Sequence, residues 1–97
     1  MAKKPDGYFG FTVTNETKRK SVFVPAMFNV QATGRTDTRS VVVMISPGIN
    51  NFAPAEAKNY RIPYYVTGGG RTAYLTASVS SPEGILYDSE TISVRLR

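Results

Sequence analysis

The side chains in this sequence best equipped for acid–base or metal chemistry are its seven carboxylates, Asp6, Glu16, Asp37, Glu56, Glu83, Asp88 and Glu90. Only Asp88 and Glu90 stand close, and at i and i+2 they share a face if the segment is extended. A general acid/base couple or a Ca²⁺ site would need such a pair, but two acids beside a turn are ordinarily just solvated. Histidine and cysteine are both absent. That removes the side chain best suited to proton transfer near neutral pH, along with the thiolate nucleophile and metal ligand. The serines therefore have no imidazole to activate them, and none lies in a nucleophile-elbow pattern. Gly68-Gly69-Gly70-Arg71-Thr72 has the glycines of a phosphate loop without its Gly-Lys-Ser/Thr ending, and a strand pattern follows where a helix is needed. The reading is a protein that is not an enzyme, with no catalytic, cofactor-binding or metal-ligating residues and no small-molecule substrate.

Charge is the next candidate for function. Twelve Lys and Arg against seven acids leave a net +5, a bias that suits anionic partners and equally serves solubility. Lys3, Lys4, Lys18, Arg19, Lys20, Arg35, Arg39, Arg61, Arg71, Arg95 and Arg97 could neutralise phosphates, and the tyrosines could stack bases as on an oligonucleotide-binding (OB) barrel. The cations are scattered over turns, however, and most aromatics fall in core-facing registers, whereas a basic binder gathers its charge. Single-stranded nucleic-acid binding is the alternative reading, not the first.

The elements that must position these residues are strands. Tyr60, Ile62, Tyr64 and Val66 alternate with Arg61, Pro63, Tyr65 and Thr67. Ala73, Leu75, Ala77 and Val79 alternate with Tyr74, Thr76, Ser78 and Ser80, and Ile92, Val94 and Leu96 with their polar neighbours. Period-two patterning puts one set on a buried face and the other in water. Tyr8–Asn15 alternates with Phe9, Phe11 and Val13 inward. Ser21–Thr33 reads as one strand with Val22, Val24, Ala26, Phe28 and Val30 inward and Phe23 and Met27 on its other face. Arg39–Ser46 is a valine-rich run suited to a central strand, with Val43 in the core beside Leu75. Residues 49–56 read as irregular with Phe52 as a plug, Gly68–Gly70 as a tight hairpin, and Asp88-Ser89-Glu90 as a kink or bulge.

Ninety-seven residues make one domain, able to bury about 60–68% of its unfolded surface without disulfides. Residues 1–7 read as a flexible basic arm and 8–97 as the folded unit. The arm carries positive charge but no apolar run follows it, and no window approaches a membrane helix. The expectation is a soluble protein that stays where it is made and has no membrane partner.

From Val41 the order is apolar strand, Pro-Gly loop, Ala-Pro-Ala-Glu-Ala-Lys, alternating strand, glycine turn and a Tyr-containing strand. Through Pro54, Ala55, Glu56, Lys58, Gly68 to Gly70, Tyr74 and Val79, a little over half the chain resembles the second half of bacterial and phage immunoglobulin-like domains. The resemblance implies an all-β fold, a single immunoglobulin-like β-sandwich of about seven antiparallel Greek-key strands. Tyr74 is then a candidate tyrosine corner, with an exposed strand tyrosine as the plainer reading. By analogy of fold, it also implies a structural protein of tailed-phage virions, such as a capsid decoration protein, assembled in the host cytoplasm. The expected partner is a capsid or other virion subunit, or further copies of the chain, held by loops and the N-terminal arm. The partner-binding candidates are Lys3, Lys4 and Pro5 on the arm, then Lys18, Arg19 and Lys20 in a loop, then the face carrying Arg61, Tyr65 and Thr67. For each of them, a solvated tail, turn or strand face is at least as good a reading. A small inhibitor of a host defence complex fits the size, but mimics of nucleic acid are acidic and this chain is basic.

Overall fold

The alternating segments fold as strands, and their pairing order decides which faces meet. The computed structural model describes residues 4–96 and is all-β. Its strands are β1 (Gly7–Thr14), β2 (Lys18–Arg19), β3 (Val22–Phe23), β4 (Ala26–Thr36), β5 (Val41–Val43), β6 (Gly48–Phe52), β7 (Ala57–Val66), β8 (Thr72–Ser80) and β9 (Leu86–Arg95). That is nine strands where about seven were expected, two of them the two-residue arms of a hairpin. All the ladders are antiparallel. The hydrogen-bonded order is β1-β7-β5-β4-β8-β9, with β6 also beside β4 and β2–β3 apart.

This sheet doubles over on itself. Phe9, Ile62 and Tyr64 from β1 and β7 share one buried cluster with Ala32, Ala73 and Leu75 from β4 and β8, strands to which they are not hydrogen-bonded. A second cluster joins Val13 of β1 to Phe28, Val30 and Phe52 of β4 and β6. So β1 and β7 form a first layer that lies over a second layer of β6, β4, β8 and β9. Short β5 stitches the two, with Val42 opposite Gly34 on β4 and opposite Val66 on β7. Facing side chains between two sheets about 10 Å apart form the core.

Several expectations change. The run Arg39–Ser46 is not a central strand. Only Val41–Val43 pairs, and Val42 is buried while Val41, Val43 and Ile45 are 62%, 46% and 84% exposed. The outer side of β5 has no second layer, so its alternate valines meet water. Ser21–Thr33 breaks at Val24-Pro25 into β3 and β4, because Pro25 cannot donate to a ladder, and Val22 is exposed. Residues 48–52 form a strand on β4, and Phe52 is buried as a plug.

The Gly68–Gly70 link is not a hairpin. It carries the chain from β7 in the first layer to β8 in the second. Glycine is needed there for close approach: Gly70 has φ 143°, and a Cβ on it would sit 2.8 Å from Thr36. In β9 the irregularity falls at Tyr87, which bulges between Leu86 and Asp88 opposite Ser80 and Val79.

Leu75→Ala is expected to cost about 2–4 kcal/mol in urea unfolding, whereas Val43→Ala costs under about 1 kcal/mol. Val42→Ala should cost clearly more than Val43→Ala, and equal losses would contradict this register.

Candidate interaction surfaces

The sequence-derived candidates are spread along β1 instead of gathering at one place. Lys3 lies outside the described residues. Lys4 is exposed and Pro5 half-buried at the start of β1, Arg61 pairs with Gly10 at its middle, and Lys18 to Lys20 follow its end. A strand of eight residues spans about 25 Å at ~3.3 Å per residue. The arm and the cationic loop are therefore separate sites.

At the first end, the proposed arm runs into the fold. Asp6 N–H donates to Tyr64 O at 2.9 Å, Val66 N–H donates to the Asp6 carboxylate at 2.7 Å, and β1 begins at Gly7. A Cβ on Gly7 would collide with the Tyr64 hydroxyl, so any larger residue there would have to displace that ring. Asp6 and Gly7, read from the sequence as part of a flexible arm, therefore belong to the folded sheet. Pro5 and Asp6 line a groove of about 440 Å³ with Tyr64, Gly68, Gly70 and Arg95.

The glycine loop at this groove is held by buried Thr36. Thr36 Oγ1 accepts the Ser40 N–H at 2.9 Å, meets Thr38 Oγ1 at 3.0 Å and reaches Gly69 O at 3.3 Å. Beside it the Asp37 carboxylate accepts the Arg71 and Thr72 amides at 2.9 and 3.4 Å. Arg71 N–H foremost, these donors hold the Asp37 carboxyl below the usual aspartate range, against an opposing effect of desolvation.

At the other end of β1, Asn15 is fully buried. Its side-chain amide donates to Val24 O at 2.8 Å and Ala53 O at 3.1 Å, and its Oδ1 accepts the Thr17 N–H at 3.0 Å. This clamp sets the root of the β2–β3 hairpin. The turn residues Lys20 and Ser21 both have positive φ, 52° and 67°, the primed geometry that matches strand twist in two-residue hairpins. Lys18, Arg19 and Lys20 are exposed here with Val22 and Phe23, and Lys18 Nζ lies 4.7 Å over the Phe23 ring.

The third candidate is the most coherent. On the outer face of the first layer the Arg61 guanidinium lies 3.8 Å above the Tyr8 ring. Gly10, opposite Arg61, leaves room for it to reach diagonally along the sheet. Pro63 stands opposite Tyr8, and half-buried Tyr65 stands opposite exposed Val43. The stripe therefore runs from Thr12 and Asn59, hydrogen-bonded at 2.6 Å, through the cation–aromatic pair to Pro63, Tyr65 and Val43. The sequence reading named Arg61, Tyr65 and Thr67 but not Tyr8, Pro63 or Val43. Alternation alone could have placed Tyr8 and Pro63 there, but Val43 needed the register of β5.

On the outer face of the second layer Arg35 covers Tyr74 at 4.8 Å, and Tyr74 is half-buried there. Tyr74 is a strand-face tyrosine, not a tyrosine corner. Inside the core, the Tyr60 hydroxyl is buried without a partner, and burial followed by the nearby Glu56 charge pushes its pKa up. Among the described residues no three His, Cys, Asp or Glu side chains come together to hold a metal, and no helix is long and apolar enough to cross a membrane. No protein-family model, curated protein or solved structure matches this chain.

Asp6→Ala should lower stability by about 1 kcal/mol, a fall of roughly 4–8 °C in thermal midpoint for a domain of this size; an unchanged midpoint would mark residues 1–7 as a free arm. A carboxyl depressed in the fold stabilises above its unfolded pKa, near 4, and stops doing so as pH falls through its folded value. Asp37→Asn should accordingly lower the midpoint at pH 7, with the difference from wild type closing as pH falls below about 4.

Proposed function

We propose that this chain is a non-enzymatic structural protein that docks onto another protein subunit through the outer face of β1, β7 and β5. The observation that carries the docking is the contiguous stripe of Tyr8, Arg61, Pro63, Tyr65 and Val43 on one sheet face. Tyrosine and arginine are the residues that interface centres favour, because each presents a broad planar surface at low entropic cost and carries a polar tip. Val43 and Tyr8, 46% and 50% exposed, add apolar area that a monomer gains nothing by showing to water. The partner class, a capsid or other virion subunit, rests on the immunoglobulin-like resemblance of the segment from Val41 to Val79. Lys4 and Pro5, at one end of this layer, extend the surface.

The two guanidinium–tyrosine pairs, Arg61 on Tyr8 and Arg35 on Tyr74, are what a single-stranded nucleic acid would stack upon, and they keep that second reading alive. A photo-crosslinking amino acid at position 65, in cells that make the protein, separates the two. The expected adduct is a coat or other particle subunit, and Arg61→Glu should reduce it about tenfold with the thermal midpoint nearly unchanged. An adduct with nucleic acid, together with tight oligo(dT) binding that falls steeply with salt, would overturn the protein-docking reading.

A further inference from the structure

The two layers are unequal, and the inequality leaves an open seam. Strand β1 lies over β8, and the first layer ends there, so among the described residues no strand of that layer lies over β9. The inward side of β9 is consequently in water over most of its length, with Tyr87 58% and Ile92 42% exposed, and only Val94 half-buried against the core. Between the edge of β1 and β9 run two adjoining grooves of about 440 and 200 Å³. Their floors are apolar: Val13, Phe28 and Val79 in the larger, Phe9, Phe11 and Ala77 in the smaller.

The seam also has a charge of its own. Three of the seven carboxylates hold backbone turns: Asp6 at Val66, Asp37 at Arg71 and Glu56 at Ala53. Of the other four, Glu16 and Asp88 line the larger groove and Glu90 the smaller. In a chain of net charge +5, the exposed apolar seam is thus the acidic part of the surface.

The matching shape is on the same chain. The β2–β3 hairpin carries Lys18, Arg19 and Lys20 with Val22 and Phe23, 63% and 41% exposed. Its root is tied by the Val24 N–H to Thr17 O at 3.0 Å, and Thr17 itself lines the larger groove. A basic hairpin with an apolar second arm, Val22 and Phe23, therefore stands at the lip of an acidic, apolar groove.

We infer that the seam is occupied by the β2–β3 hairpin of a second copy of this chain, in a two-fold dimer. The two-fold axis sets each hairpin in the other's groove, so one complementary contact is made twice. Doubling is what brings so small a contact toward the roughly 1,200 Å² that a specific interface needs. Lysine and arginine of the hairpin meet Glu16, Asp88 and Glu90. Phe23, on the hairpin face it shares with Lys18, covers Phe28, Val79 and Tyr87, and Val22, on the opposite face, packs at the rim. This contact borders the Arg61 stripe at Gly10 and Thr12 but includes none of Tyr8, Arg61, Pro63, Tyr65 and Val43, and it does not depend on that stripe.

Sedimentation equilibrium of the full chain at 0.05 and 0.5 M NaCl tests the dimer. Twice the chain mass is expected at low salt, with dissociation favoured at least tenfold at high salt. Reversing the hairpin (Lys18→Glu, Arg19→Glu, Lys20→Glu) or the groove (Asp88→Lys, Glu90→Lys) should each give a monomer. The decisive step is to mix these two variants, since an acidic hairpin then faces a basic groove and a basic hairpin an acidic one. A one-to-one dimer in the mixture supports the inference. A wild-type monomer throughout, a dimer indifferent to both reversals, or a mixture that stays monomeric overturns it. Should a reversed chain lose its β-sheet circular dichroism, the neutral pair Asp88→Asn, Glu90→Gln carries the groove arm, with at least a tenfold weaker dimer expected. None of these outcomes bears on crosslinking from position 65, so the docking reading stands or falls separately.

Discussion

The width of the first layer is the constraint on which the rest of this structure depends. Two long strands, β1 and β7, lie over a layer four strands wide, and two strands cannot shield four. Residues under the overlap are almost wholly removed from water, as Leu75, Ala73 and Val30 are at 0% exposure, while β9 is exposed along nearly its whole length. The pattern follows from geometry, since strands lie about 4.8 Å apart and a side chain is dry only if a second sheet stands above it. Hydrophobicity alone does not bury Ile92 or Tyr87. A covering strand would have to stand beside β1, and the described residues supply none there.

Given so narrow a core, polar clamps at the two ends of the sandwich carry much of the definition of the fold. Thr36 and Asn15, both fully buried, are each satisfied by backbone groups from distant segments. Each therefore avoids the desolvation cost of a lone buried polar atom and fixes where loops cross between layers. One clamp holds the glycine crossover against the β4–β5 turn; the other holds the root of the β2–β3 hairpin against the end of β1. The parts proposed to act on partners project from these clamps or lie on the strand between them. A binding surface built on a rigid sheet and a tethered hairpin loses little entropy on association.

The sequence reading was most accurate where period two governs. Phe9, Val13, Ile62, Tyr64, Ala73 and Leu75 were placed inward and are buried. It failed where an apolar run carries no period. In Val41-Val42-Val43 the composition is that of a strand buried on both faces, and only the single-layer environment of β5 explains why Val42 alone is inside. Pairing partners were equally illegible in the glycine triplet, which suits a hairpin as well as a crossover. What separates them is the contact of Gly70 with Thr36, a residue 34 positions away. Of the candidate surface, Arg61 and Tyr65 were legible from alternation. Their neighbours Tyr8 and Val43 come from strands 53 and 22 residues away, and only the ladder registers bring them alongside.

By itself, then, the sequence determined the class of the fold and the kinds of chemistry open to it. Alternating β-branched and aromatic residues commit the chain to strands, and a chain without histidine or cysteine lacks the usual means of proton transfer and thiolate chemistry, whatever its fold. Both are local properties, settled by residue type and near neighbours. The tertiary structure alone decided which strands pair, how far one layer covers the other, and therefore which apolar and charged residues are left together on the surface. Those are outcomes of long-range packing, where a strand's face is dry or wet according to what happens to lie across from it, and no window of the sequence contains that information.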